Sequence, residues 1–122
     1  MPKPGAGTWL ERVELSRLIE FAGKSGARYR YSPLDEERFL PPAGANFVIA
    51  EVTEEGATLV YAGETDNLAN QTWKQKLDAA RKKHPAAKVL TRLNVTRAIR
   101  EAERVDLIEQ YQPPMNRGDH HA

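Results

Sequence analysis

The chain has 122 residues, 40% of them hydrophobic and 29% charged, which is typical of a single globular domain. It contains no cysteine, which excludes disulfides, thiolate zinc sites and cysteine nucleophiles. No apolar run approaches the roughly 18 residues of a membrane span, and the first residues lack a signal-peptide core, so we expect a cytoplasmic protein with no membrane partner.

Positive charge is concentrated in one part of the chain. Residues 70–104 hold ten Lys/Arg against three Asp/Glu, a net charge of +7, whereas residues 1–69 carry −4 and residues 105–122 carry −2. A basic segment of this kind could face nucleic-acid phosphates. It could equally form two solvated helix faces, so charge alone leaves both interpretations open.

The first part of the chain predicts a helical extension. Thr8 and Glu11 have the spacing of a capping box, and an apolar stripe from Trp9 to Ala22 leads to Gly23, which suits a helix C-terminus. Ser32 before a proline predicts a second, short helix to about Leu40. The prolines after it mark a boundary. We therefore divide the chain into an N-terminal helical extension (1–43), a main domain (44–116) and a flexible tail (117–122).

The main domain predicts the order hairpin, helix, strand, helix. Residues 47–52 and 58–62 are strand-like and are joined by a glycine-containing turn. The next helix, capped by Asp66 or Asn67, ends before Pro85. Its apolar positions are Ala69, Trp73, Leu77 and Ala80.

A third strand and a last helix complete the prediction. Residues 88–95 alternate as a strand does, and Thr96 then caps a helix that ends before Pro113. Its expected buried stripe comprises Ala98, Ile99, Ala102, Val105 and Ile108. The fold class is α+β, a small three-stranded antiparallel sheet flanked by helices.

Certain residues of this domain match a known pattern. They are Tyr61-Ala62-Gly63, Asp66-Asn67-Leu68, Leu107-Ile108, Pro113 and Asn116. With the element order above, residues 44–116 resemble the GIY-YIG nuclease domain, as found at the N-terminus of bacterial excision-repair proteins. Residues 1–43 do not take part in the resemblance.

The resemblance implies a phosphodiester hydrolase with one divalent metal, held by a glutamate on the last helix. A tyrosine of the first triplet helps to activate water, and an arginine on the middle helix steadies the phosphate. Tyr61 retains the second tyrosine, but Phe47, Gln71 and Arg104 stand at the other three positions. Phenylalanine has no exchangeable proton, glutamine has no charge, and a guanidinium cannot bind Mg²⁺.

We therefore expect a non-catalytic domain without metal or cofactor, in which Tyr61, Gln71 and Arg104 converge on one cleft. Glu101 lies one helical turn before Arg104 and is the candidate for a displaced acid. The alternative is an active, Mg²⁺-dependent endonuclease with a rearranged site built on Tyr61 and Glu101.

Basic side chains around the former site suggest a nucleic-acid contact. Arg97, Arg100 and Arg104 recur at helical spacing and predict one stripe, although they could instead pair with nearby acids. The expected function is DNA binding or regulation through this basic cleft, and the other alternative is a protein-interaction module that uses residues 1–43. The predicted nucleic-acid-binding residues are Lys74, Arg81, Lys82, Lys83, Arg97, Arg100 and Arg104.

Overall fold

A computed structural model describes residues 18–35 and 40–117. The described residues form five strands, two α-helices and two short 3₁₀ turns. No helix in these two ranges is long and apolar enough to span a bilayer. The elements are β1 (Ile19–Ala22), β2 (Arg28–Pro33), β3 (Ala45–Thr53), β4 (Gly56–Thr65), α1 (Trp73–Arg81), β5 (Ala87–Leu93) and α2 (Arg97–Tyr111).

The strands make one sheet in the order β1-β2-β5-β3-β4, with antiparallel neighbours. The α+β class is confirmed, but the sheet has five strands and not the three that the sequence predicted. The two additional strands, β1 and β2, come from the segment before residue 44 and extend the sheet beyond β5.

The two helices pack on opposite faces of the sheet. Alternate residues of β3 point to opposite sides, as in any strand. Phe47 and Ile49 join a core cluster with Trp73 and Leu77 of α1. Val48 and its neighbours on the other face join a second cluster with residues of α2.

A β-bulge in the edge strand β4 sets the position of Tyr61. Ile49 pairs with Tyr61 and Ala50 pairs with Leu59, so Val60 is the additional residue. As a result, Val60 and Tyr61 both pack against the α1 cluster, whereas Leu59 packs on the α2 side. Tyr61 keeps part of its surface exposed because it lies on an edge strand.

The helix predicted to end at Ala22 is wrong in the part that the structure describes. Residues 19–22 form β1, and the ring of Phe21 meets that of Tyr31 edge-on, with centroids 5.8 Å apart. Gly23 ends no helix. A Cβ there would collide with the Asp106 carboxylate, so glycine permits a close approach to α2.

The predicted second helix also differs from the structure. Ser32 and Pro33 belong to β2 and pair with Thr91 and Leu90. Leu18, Leu34, Asp35 and Leu40, which the two predicted helices also include, are not helical, and the remaining residues of those helices fall within 1–17 and 36–39, outside the described residues. In the predicted tail, only Arg117 is described.

Candidate functional site

The last helix is turned relative to its predicted orientation. Its buried residues are Arg100, Glu103, Asp106, Leu107 and Ile108. Apart from Ile108, the expected apolar stripe is wrong. Ala98, Ile99, Ala102 and Val105 all face solvent. Charged side chains occupy the inner face because strands and loops far away in sequence supply their partners.

Arg100 is fully engaged beneath the helix. Its side chain is 3% exposed, its Nε donates to Glu64 over 2.8 Å, and a terminal nitrogen donates to Asp66. The other terminal nitrogen donates to the carbonyl oxygens of Asn94 (3.0 Å) and Val95 (2.8 Å). The guanidinium is therefore withdrawn from solvent, and the predicted surface stripe of three arginines does not form.

Glu103 adds a carboxylate to the buried polar side chains beneath α2. Glu103 accepts from the Tyr31 hydroxyl at 2.5 Å and from Arg92 Nε at 3.2 Å. Burial, with the Glu103 charge beside it, raises the pKa of Tyr31 far above its usual value. Through its hydrogen bonds with Tyr31 and Arg92, Glu103 fixes the middle of α2 to β2 and β5.

Asp106 fixes the second half of α2 to the hairpin formed by β1 and β2. It accepts hydrogen bonds from the hydroxyls of Tyr29 and Ser25, each at 2.7 Å, and from the Ser25 amide at 2.8 Å. Burial acts to raise the pKa of Asp106, but the hydrogen bonds from Tyr29 and Ser25 outweigh it and hold that pKa below its usual value. Burial and the Asp106 carboxylate raise the pKa of Tyr29 to about 12.

The residues at the two tyrosine positions of the family meet above Gly63. The rings of Phe47 and Tyr61 lie 5.9 Å apart at an angle of 34°. A Cβ on Gly63 would lie 2.6 Å from Phe47 Cζ and 2.8 Å from Tyr61 Cε2, so only glycine leaves room for both rings. The structure therefore brings Phe47 and Tyr61 together.

Lys76 is a neighbour of Tyr61 that sequence reasoning missed. Its Nζ lies 4.9 Å from the centroid of the Tyr61 ring, within cation–π range. The signal available in the sequence was a lysine 13 residues after Gly63, offset by five residues from the family position at Gln71. Gln71 itself is exposed, in the left-handed conformation (φ 57°) before α1.

Arg104 is bound to Glu101. Its Nε and terminal nitrogen donate to the two carboxylate oxygens over 3.0 and 2.7 Å. This hydrogen-bonded pair raises the pKa of Arg104 and lowers the pKa of Glu101. The charges of Tyr61 and Glu64 also act to raise the pKa of Arg104. Both carboxylate oxygens of the candidate displaced acid are thus already engaged.

Asn116, at the end of the matched region, contacts the Tyr61-Ala62-Gly63 triplet. Asn116 Oδ1 accepts from the Ala62 amide at 2.7 Å, and its Nδ2 donates to the Ala62 carbonyl at 3.0 Å. This side chain pairs with the backbone of the edge strand as another strand would. Asn116, 1% exposed, is a structural residue.

The predicted basic residues of the other sheet face, Lys74, Arg81, Lys82 and Lys83, lie on α1 and in the turn that follows it. Lys74, Lys82 and Lys83 are exposed, as is Lys88 on β5. Arg81 is half-buried and donates from Nε to the Ala87 carbonyl over 3.0 Å. Between residues 73 and 88 there are six Lys/Arg and a single acid, Asp78.

Within residues 18–35 and 40–117, no group of three or more His, Asp or Glu side chains is placed to hold a metal.

Comparison with known protein families, with curated proteins and with solved structures finds no match to this chain. The resemblance to the GIY-YIG domain therefore rests on the matching residues of the sequence between Tyr61 and Asn116.

Proposed function

We propose that this chain is a catalytically silent GIY-YIG-like domain that binds nucleic acid through α1 and the turn that follows it. The observation that carries the proposal is a difference between the two helices. The α2 arginines Arg100 and Arg104 are paired with acids, whereas the segment 73–88 combines exposed lysines with one acid. A surface of this kind attracts phosphates without reading base sequence.

Two contacts favour the family assignment behind this proposal. The triplet at Tyr61 is joined to Asn116 through the Ala62 backbone, so both ends of the quoted pattern meet in space. Lys76 brings a positive charge to Tyr61 on the helix where the family has its phosphate-binding arginine. A lysine there can hold a phosphate as a point charge, although it lacks the bidentate geometry of arginine.

The proposal of lost catalysis rests on the groups present. Phe47 offers no hydroxyl beside Tyr61, and Arg104 presents a cation at the family's metal position. Phosphate binding needs neither group. The same surface can thus hold a nucleic-acid backbone without cleaving it.

Binding should be tested by fluorescence anisotropy with a labelled 20-base-pair DNA duplex and the matching RNA duplex. We expect Lys74→Glu, Lys82→Glu and Lys83→Glu, combined in one variant, to weaken binding to the preferred duplex at least tenfold. The control combines Arg28→Glu, Arg30→Glu and Arg97→Glu, which changes the net charge equally at exposed positions elsewhere. Equal losses in the two variants would contradict a site on α1.

A further inference from the structure

The outward face of α2 carries a group of exposed apolar side chains. Ala98, Ala102 and Val105 face solvent, and Ile99 beside them is 56% exposed. Val95, just before the helix, is 85% exposed. Exposed apolar side chains grouped on one element mark an interaction surface more often than scattered ones do.

The spacing on this face is that of a helix-pairing seam. Ala98, Ala102 and Val105 follow intervals of four and three, the a/d pattern of paired helices. Alanine in the middle of the seam lets two helix axes approach closely. A second α2 helix therefore fits this face by shape.

The charges beside the seam fix the direction of pairing. Glu101 and Arg104 lie on the same flank of the helix. We consider two antiparallel α2 helices related by a two-fold axis that passes beside Ala102. Each Glu101 is then level with the partner's Arg104 to within about 1.5 Å, measured along the helix axis. In a parallel pair, each charged residue would instead lie level with the same residue of the partner, so that like charges would face each other.

We propose that a second copy of this chain occupies the face, giving a homodimer in which two α2 helices pair antiparallel about Ala102. The interface is isologous, with Ala102 against the partner's Ala102 and Val105 opposite the partner's Ala98. Because α1 lies on the opposite face of the sheet, the dimer leaves both basic surfaces open. The dimer does not depend on the proposed nucleic-acid binding.

A single cysteine tests the geometry directly, since the natural chain has none. Ala102→Cys places two thiols at the two-fold axis, within the roughly 4.4–6.8 Å Cα separation that a disulfide requires. Ala79→Cys, on the exposed face of α1, is the matched control. Under mild oxidation, we expect the Ala102→Cys variant to form a covalent dimer at least tenfold faster. Equal rates would overturn the proposal.

Sedimentation equilibrium without nucleic acid tests the affinity and the role of charge. We expect Ala102→Glu to weaken the dimer at least tenfold and Ala79→Glu to leave it unchanged. Glu101→Arg and Arg104→Glu should each weaken it, whereas the double exchange should restore it. A wild-type chain that stays monomeric up to about 1 mM would overturn the proposal, as would a dimer that is insensitive to Ala102→Glu.

Discussion

The Nε of Arg100 and the Oε1 of Glu64 lie 2.8 Å apart beneath the last helix, where the Arg100 side chain is only 3% exposed. This ion pair joins α2 to the edge strand β4, and Asp66 extends it to the loop that follows. A residue that the sequence placed on a nucleic-acid surface is thus part of the interior.

Removal of the Arg100 guanidinium should destabilise the fold strongly. Arg100→Ala leaves Glu64 without its cation and leaves the carbonyls of Asn94 and Val95 without their donor. We expect a loss of about 3–5 kcal/mol in the free energy of unfolding, measured by urea denaturation. Arg97→Ala, one turn earlier and exposed, is the control and should change stability by less than about 0.5 kcal/mol. Similar values for both variants would contradict a buried role for Arg100.

The orientation of α2 can be tested with two aliphatic truncations. Leu107 is 1% exposed and packs in the core, so Leu107→Ala should lower the free energy of unfolding by about 2–5 kcal/mol. Val105→Ala, on the outward face, should cost less than about 1 kcal/mol when measured at a concentration that keeps the chain monomeric. The opposite order would support the apolar stripe predicted from the sequence.

Acid should weaken the fold through Asp106. Its folded-state pKa lies below the usual value, so its stabilisation is present above the unfolded pKa of about 4 and is lost as the pH falls through the folded pKa. We expect Asp106→Asn to lower the free energy of unfolding at pH 7 by about 1–3 kcal/mol and to flatten its decline between about pH 5 and pH 2. Urea midpoints at several pH values measure this effect. Glu109→Gln, exposed on the same helix, should keep the wild-type pH profile.

The central elements could be predicted because their signals are local. The strand-like residue types of 47–52 and 58–62, joined by a glycine-containing turn, indicated β3 and β4, and the spacing of Trp73 and Leu77 indicated the buried face of α1. Each of these patterns lies within one element, so no knowledge of distant partners was required.

The orientation of α2 could not be predicted in the same way. A helical pattern assigns charged residues to solvent unless a partner is known. The partners of Arg100 and Asp106 are Glu64 and Tyr29, which are 36 and 77 residues away in sequence. Of the four family positions, the structure brings Phe47 and Tyr61 together. Lys76 also lies beside Tyr61, although it is five residues after the family position at Gln71, and the spacing in the sequence did not indicate this contact.

The salt dependence of DNA binding should report on α1 and the turn that follows it, and not on α2. Each phosphate contact that is lost lowers the slope of log affinity against log salt by about one. We therefore expect Lys82→Ala combined with Lys83→Ala to reduce the slope by about two. Arg97→Ala should leave it unchanged. Anisotropy titrations between 50 and 300 mM salt, as an order-of-magnitude range, measure both slopes. A larger change for Arg97→Ala would move the site to α2.

Restoration of the family's chemical groups tests the proposal of lost catalysis. The wild-type chain should show no Mg²⁺-dependent nicking of plasmid DNA, because Phe47 and Arg104 stand where a hydroxyl and a metal ligand are needed. Arg104→Glu alone should bind Mg²⁺ weakly, detectable by calorimetry, since it places a second carboxylate beside Glu101. Single restorations should not produce cleavage, because catalytic groups that act together are not additive.

The triple variant Phe47→Tyr, Gln71→Arg, Arg104→Glu should show at most weak nicking. The new tyrosine hydroxyl would lie beside Tyr61, since the two rings are already 5.9 Å apart over Gly63. The supporting contacts around a metal ligand also contribute to activity, and the three substitutions do not supply them. A triple variant that also carries Tyr61→Phe is the control and should lose any activity gained. Robust Mg²⁺-dependent cleavage by the unmodified chain, purified away from contaminating nuclease, would refute the proposal that this domain is catalytically silent.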